Sequence, residues 1–200
     1  MKRKILLTAT ILIFLIPVGF IFNFVFFKSG INSGLEQLTA NATALYEQSQ
    51  TNTTGFPIRL KIPEINVDAT IEYVGLTQNG GIGVPKGPIN VAWFKLGPKP
   101  GEKGVAVIDG HSGWKDGIPA VFDNLYKLRK GDKIYVENKE GNTVTFVVNE
   151  IKEFNPKADA SSVFISNDGL SHLNLITCGG SWDEVNKTHT ARLVVFADKE

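Results

Sequence analysis

The sequence predicts an all-β domain, a barrel or sandwich of seven or eight short strands, on three observations. From Phe56 onward apolar and polar residues alternate with a period of two; Gly, Pro, Asn and Asp separate the runs; and only one sizeable segment carries a helical spacing. A chain of 200 residues with 42% hydrophobic content has enough apolar material for one globular domain with its own core. A formal net charge of +1 points away from polyanions, so nucleic acid is not an expected partner.

The elements begin with a segment that is not β. Met1-Lys2-Arg3-Lys4 is followed by an apolar stretch from Ile5 to Phe27, interrupted only by Thr8, Thr10, Pro17, Gly19 and Asn23. That length suffices to span a bilayer, which takes about 20 residues. A cleaved signal peptide has a shorter apolar region and a small-x-small cleavage site, which "FIFNFVFFKSG" does not offer. Residues 1–27 therefore read as an uncleaved signal anchor, a transmembrane helix. Lys2, Arg3 and Lys4 outweigh Lys28 across the span, which places the N-terminus inside and the rest outside. The expectation is a single-pass protein of the cell membrane with an extracellular C-terminal domain. Residues 28–55, rich in Ser, Thr, Asn, Gln and Gly, read as a polar stalk, and residues 56–200 as the β domain.

Within that domain "IRLKIPEINVDATIEYVGL" alternates over short runs: Ile58, Leu60 and Ile62, then Ile65 and Val67, then Ala69, Ile71 and Tyr73. Further strands are expected at Val91–Phe94, Gly104–Asp109, Lys133–Asn138, Thr143–Phe154, Leu173–Thr177 and Ala191–Ala197. Val121, Phe122, Leu125 and Leu128 fall at helical spacing ahead of Gly131, which predicts a helix over Val121–Arg129. A second short helical turn is expected in Ala160–Ile165.

Chemistry is signalled by the one cysteine, in "NLITCGG". Exported cysteines usually pair, so a lone thiol outside the cell points to an intermolecular bridge or to a free reactive group. A thiol acts as a nucleophile when a cationic or basic neighbour manages its proton. His172 is six residues from Cys178 along an extended run, roughly 20 Å, and cannot reach the sulfur. His189 lies in the loop before the last strand, and His111 in "VAVIDGHSGW", where an apolar strand runs into a glycine-flanked turn. Spacing leaves both open, with His111 the better placed. Arg192 begins the last strand and would lie beside Cys178 if the two strands pair; its guanidinium suits a thiolate, an oxyanion or a peptide carbonyl.

"GHSG", "LITCGG" and "ARLVVFA", in this order, resemble the sortase family of cysteine transpeptidases, whose signature is a Thr-Leu-x-Thr-Cys strand end with a His upstream and an Arg in the following strand. Leu175, Thr177 and Cys178 match, and Asn174 stands where the first Thr is usual. "IPEINVDATI" and "FDNLYKLRKGDKIYV" extend the resemblance over about residues 57–198. It implies an eight-stranded sortase-type β-barrel with one or two short helices. It also implies Cys178 as nucleophile, His111 as general acid and base, Arg192 as the group that holds substrate and stabilises the oxyanion, and Thr177 as a substrate-binding residue. The implied reaction cleaves an LPxTG-like sorting signal between Thr and Gly and passes the acyl group to an amine. The implied partners are exported proteins bearing that signal and an amine acceptor such as a cell-wall precursor. The two glycines after Cys178 are expected to keep the approach to the sulfur open.

No cofactor is expected: some relatives bind calcium, but Glu102, Asp159 and Asp168 have no spacing that amounts to a calcium site. The stalk has no Asp-Pro-aromatic lid motif, which argues against a pilus-polymerising type, and the "HSG" after the strand with a compact barrel leans toward classes D, E or F. Two other readings stand beside this one: a membrane-anchored, non-catalytic binding or scaffold barrel, and a hydrolytic cysteine peptidase.

Overall fold

Alternation along each run becomes a ladder of eight strands that closes on itself. The computed structural model describes Gln37 and residues 54–200, so the signal anchor expected at 1–27 and nearly all of the stalk at 28–55 lie outside the described residues. All the strands lie in the second of the chain's two compact units, Thr51–Glu200. They are β1 (Pro57–Ile62), β2 (Val67–Val74), β3 (Val91–Phe94), β4 (Gly104–Gly110), β5 (Lys133–Asn138), β6 (Thr143–Phe154), β7 (Ser171–Asp183) and β8 (Thr188–Lys199). The closed barrel runs β1-β2-β3-β4-β7-β8-β6-β5, which confirms the all-β class and the eight strands. Pairs β2–β3 and β4–β7 are parallel and the remaining neighbours antiparallel. Among the described residues no helix is long and apolar enough to cross a membrane.

The inward positions of each run fill the barrel. Leu60, Ile62, Ile108, Ile134, Phe146, Leu173, Leu175 and Val195 are all fully buried in one core cluster, each contributing about 1.5–3 kcal/mol relative to an exposed side chain. Two expectations are corrected. The helix over Val121–Arg129 is instead a series of turns with one 3-10 turn, Leu125–Lys127. The Phe122 amide is drawn out of a helical ladder to the His111 carbonyl at 2.9 Å, and Leu128 is extended at ψ 153. Phe122, Leu125 and Leu128 still reach the core, so the helical spacing reported burial rather than helix. Strands β7 and β8 also run well beyond Leu173–Thr177 and Ala191–Ala197, because their polar ends pair without an alternating pattern to announce them. The expected second turn is present as Ser161–Val163.

The outward face of β4, β7 and β8 positions the site. In the parallel β4–β7 ladder Val107 pairs with Asn174 and Asp109 with Ile176; across β7–β8, Asn174 pairs with Phe196, Ile176 with Val194 and Cys178 with Arg192. Core residues Ala106, Ile108, Leu173, Leu175, Val195 and Ala197 occupy the intervening positions. Since side chains alternate along a strand, Val107, Asp109, Ile176, Cys178 and Arg192 share the outer face.

Candidate active site

Cys178 and Arg192 are directly opposed across the antiparallel β7–β8 ladder. One two-residue step past the paired Asp109 and Ile176 carries the two parallel chains to His111 and Cys178. A cavity of about 420 Å³ gathers the result: Asp109, His111, Cys178 and Arg192 line it, with Ile82 and Val84 from the β2–β3 connection and Phe164 from the β6–β7 connection as apolar walls. Of the sequence candidates, His111, Cys178 and Arg192 are thus brought together.

His111 is held by its surroundings. Its Nε2 donates to the Pro85 carbonyl at 2.8 Å, which assigns the proton to Nε2 and leaves Nδ1 free to accept or deliver one. The ring lies 4.7 Å from that of Trp114. Asp123 fastens the following turn by accepting from the amides of Gly113 and Ala120. Gly110 is required just before it: a Cβ there would stand 2.5 Å from the Phe122 ring.

Burial pushes the Cys178 thiol above its ordinary range, the Arg192 guanidinium pulls it down, and Asp109 pushes it up; the net direction is upward. Arg192 directs one terminal nitrogen to the carbonyls of Ala191 and His189 at 2.9 and 3.4 Å, leaving the other donors of the guanidinium fork unassigned.

Thr177 does not line the cavity. It is buried, and its hydroxyl donates to the Gly110 carbonyl at 2.7 Å. The pleat turns it away from Cys178, so it ties β7 to the strand end that presents His111 and does not face a ligand. Asn174, the departure from the family pattern, is also accounted for: buried, it donates to the Val163 carbonyl at 2.8 Å and fastens the β6–β7 connection across the outer face. The glycines after Cys178 answer to backbone constraints. A Cβ on Gly179 would sit 3.1 Å from the Leu193 amide nitrogen, and Gly180 has φ +69 beside an irregularity in the β7–β8 register.

His172 is remote from the sulfur, bonded through Nδ1 to Asp198 at 2.7 Å and through Nε2 to Asp168 at 3.0 Å. His189 lines a separate cleft of about 630 Å³ with Trp114, Lys115 and Trp182. The carboxylates considered for calcium have separate partners: Glu102 has Lys99 and Thr54, Asp159 has Ser161, and Asp168 has His172. Sequence reasoning missed Asp109. The signal was in "VIDGH", where the pleat puts Asp109 on the same side as His111.

Comparisons with known proteins agree with this fold. The family model described as Sortase domain matches residues 60–200. The crystal structure of sortase C-1 from Actinomyces oris is similar with a TM-score of 0.56 and 27% identity, over 72% of this chain and 74% of that one. The pilus-related sortase C of Group B Streptococcus gives 0.55 and 25%, over 74% and 68%. A sortase D5 transpeptidase of Clostridium perfringens gives 0.53 and 23%, over 73% and 79%, a likeness of fold. These nearly equal scores mark the family and do not separate one class from another. No curated protein sequence matches the chain.

Proposed function

The chain belongs to the sortase family and is a cysteine transpeptidase, and from that premise we propose that it cleaves an LPxTG-like sorting signal between Thr and Gly and transfers the acyl group to an amine of the cell wall. One observation carries the residue assignment: Cys178 faces Arg192 across the β7–β8 ladder in a cavity that His111 also lines.

In this reading His111 Nδ1 takes the thiol proton, the Cys178 sulfur attacks the Thr carbonyl carbon, and electrons move onto the carbonyl oxygen, where the guanidinium of Arg192 stabilises the charge. Collapse breaks the Thr–Gly bond; His111 gives a proton to the departing Gly amine, leaving a thioester on Cys178. An acceptor amine attacks the thioester, His111 takes its proton, and the sulfur is released. The thioester retains the acyl group's free energy, so transfer needs no ATP. Apolar walls at Ile82, Val84 and Phe164 suit the Leu-Pro portion of the signal. Thr177 acts through position, by holding the Gly110 carbonyl. The cleft of Trp114, Trp182 and His189, adjoining the His111 ring through Trp114, is where we place the approach of the acceptor.

Burial holds the Cys178 thiol above its ordinary range, so the neutral thiol predominates near neutral pH. The reacting form is therefore a minor species. Tethering through residues 1–27, read from their length and basic flank, would hold the site beside substrates carrying their own membrane tails. The full-length chain in detergent, given a fluorogenic LPxTG peptide with and without an added amine beside Cys178→Ala, tests the reading. Cys178-dependent, amine-linked product is expected. Hydrolysis regardless of amine favours the peptidase, and no Cys178-dependent turnover removes the catalytic reading of this cavity.

A further inference from the structure

Asp109 is the acidic residue that lines the cavity of Cys178, His111 and Arg192. It stands two residues before His111 on β4, level with Ile176, which stands two residues before Cys178 on β7. Its carboxyl makes no hydrogen bond or ion pair among the described residues, although it is partly buried under apolar walls. A carboxyl shielded from water without a partner is costly unless something later completes it. The cation available in the cavity is Arg192, which also has donors to spare.

We propose that Asp109 is a positioning residue of this site: its carboxylate and the Arg192 guanidinium act as a charge pair across Cys178, and the pair orients the guanidinium toward the substrate carbonyl and sets the field at the sulfur. The role in catalysis rests on the transpeptidase reading; the effect on the sulfur does not.

The charged and titratable neighbours are few. Asp109 has His111 just past the end of its own strand, Cys178 on β7 and Arg192 on β8; β3 presents Ala92 across the ladder, and the connections over the cavity present Ile82, Val84, Pro156 and Phe164. Burial pushes the Asp109 carboxyl up to about 7, against the opposing pull of Arg192. The group therefore changes charge in the range where such enzymes work. Because its native value is raised above that of the unfolded chain, the native state loses stability as pH rises from about 4 toward 7.

Asp109→Asn in the full-length protein separates these roles, because the expected effects have opposite signs. Removing the negative charge makes the Cys178 thiol more acidic, so native alkylation by iodoacetamide at pH 8 should become about threefold faster, the change that half a pKa unit brings. Cleavage of the sorting-signal peptide should become about tenfold slower in kcat with KM little changed, since the guanidinium is no longer drawn across the sulfur. The melting temperature at pH 8 should rise. Faster alkylation with slower cleavage supports the pair. Unchanged rates in both assays overturn it, as does slowing of both with a lower melting temperature, which marks a structural residue. Should the variant not fold, the alkylation profile of His111→Gln, which takes the imidazole out of the cavity, decides between pH 5 and 10: a second inflection near 7 supports the proposal, and a curve following one thiol ionisation overturns it. If the wild type does not cleave the peptide at all, the transpeptidase reading fails while alkylation still judges Asp109.

Discussion

At the Ser171 end of the β7–β8 ladder His172 pairs with Asp198, and at the Gly179 end Cys178 pairs with Arg192. Both lie on the same outer face, six residues apart, yet they are completed differently. His172 is bracketed by two carboxylates, Asp168 and Asp198, whereas Cys178 and Arg192 make no hydrogen bond to another side chain among the described residues. Between them the β6–β7 connection crosses the face, fastened by Asn174 to the Val163 carbonyl. One ladder thus carries one polar cluster paired side chain to side chain and another whose side chains make no such pairing among the described residues. A polar group already paired within the fold has little left to offer a substrate.

The strongest way to break the comparison is Cys178→Ala, expected to reduce peptide cleavage to background while leaving the melting temperature nearly unchanged, as read by fluorogenic turnover beside calorimetry. Next, Arg192→Ala should lower kcat by about 10²–10³, the loss typical of an oxyanion donor; Arg192→Lys should recover only part, since a point charge lacks the planar fork. Gly110→Ala should destabilise by about 1–3 kcal/mol, because the new Cβ meets the buried Phe122 ring at 2.5 Å. It should also slow cleavage by displacing His111. Denaturant unfolding and kinetics together read both effects.

Asn174→Ala should cost about 1–3 kcal/mol through the orphaned Val163 carbonyl, with a loss of hydrogen-exchange protection concentrated in residues 155–170.

The smallest effect is expected at His172→Gln and depends on pH. Burial lowers the His172 pKa, but the hydrogen bonds its ring donates to Asp168 and Asp198 outweigh it and the net shift is upward. The folded value lies above the unfolded one, so protonated His172 stabilises fully below about pH 6.5 and that contribution is lost as pH rises through the folded value. Asp168, held down to about 2 first by the Leu170 amide and then by His172, keeps its contribution until the solution is far more acidic. His172→Gln should therefore lower the melting temperature more at pH 5.5 than at pH 8.5, with kcat unaffected at either. Equal losses at both values would remove the electrostatic account of this end of the ladder.

Legibility differed between the two ends. Arg192 opposite Cys178 was open to sequence reasoning because two strands joined by one short connection tend to pair, and this pair does. The clamp on His172 was not legible. Asp168 lies four residues away but Asp198 lies twenty-six away, and only the strand register makes them one cluster. Thr177, which the family resemblance implied as a substrate-binding residue, is buried and bonded to the Gly110 carbonyl, since neighbours along a strand face opposite sides. The segment over Val121–Arg129 shows the converse error, since apolar spacing reports which residues are buried and not which hydrogen bonds the backbone makes.

What the sequence by itself determined is the all-β class, most strand positions and the presence of a lone thiol with basic residues near strand ends, because alternation and turn chemistry are local properties of short windows. What only the tertiary structure decided is which residues meet. The parallel pairing of β4 with β7 sets His111 and Asp109 beside Cys178, and barrel closure places the connections that wall the cavity. That pairing joins segments more than sixty residues apart, and no local window carries its register; it follows from burying one face of all eight strands at once.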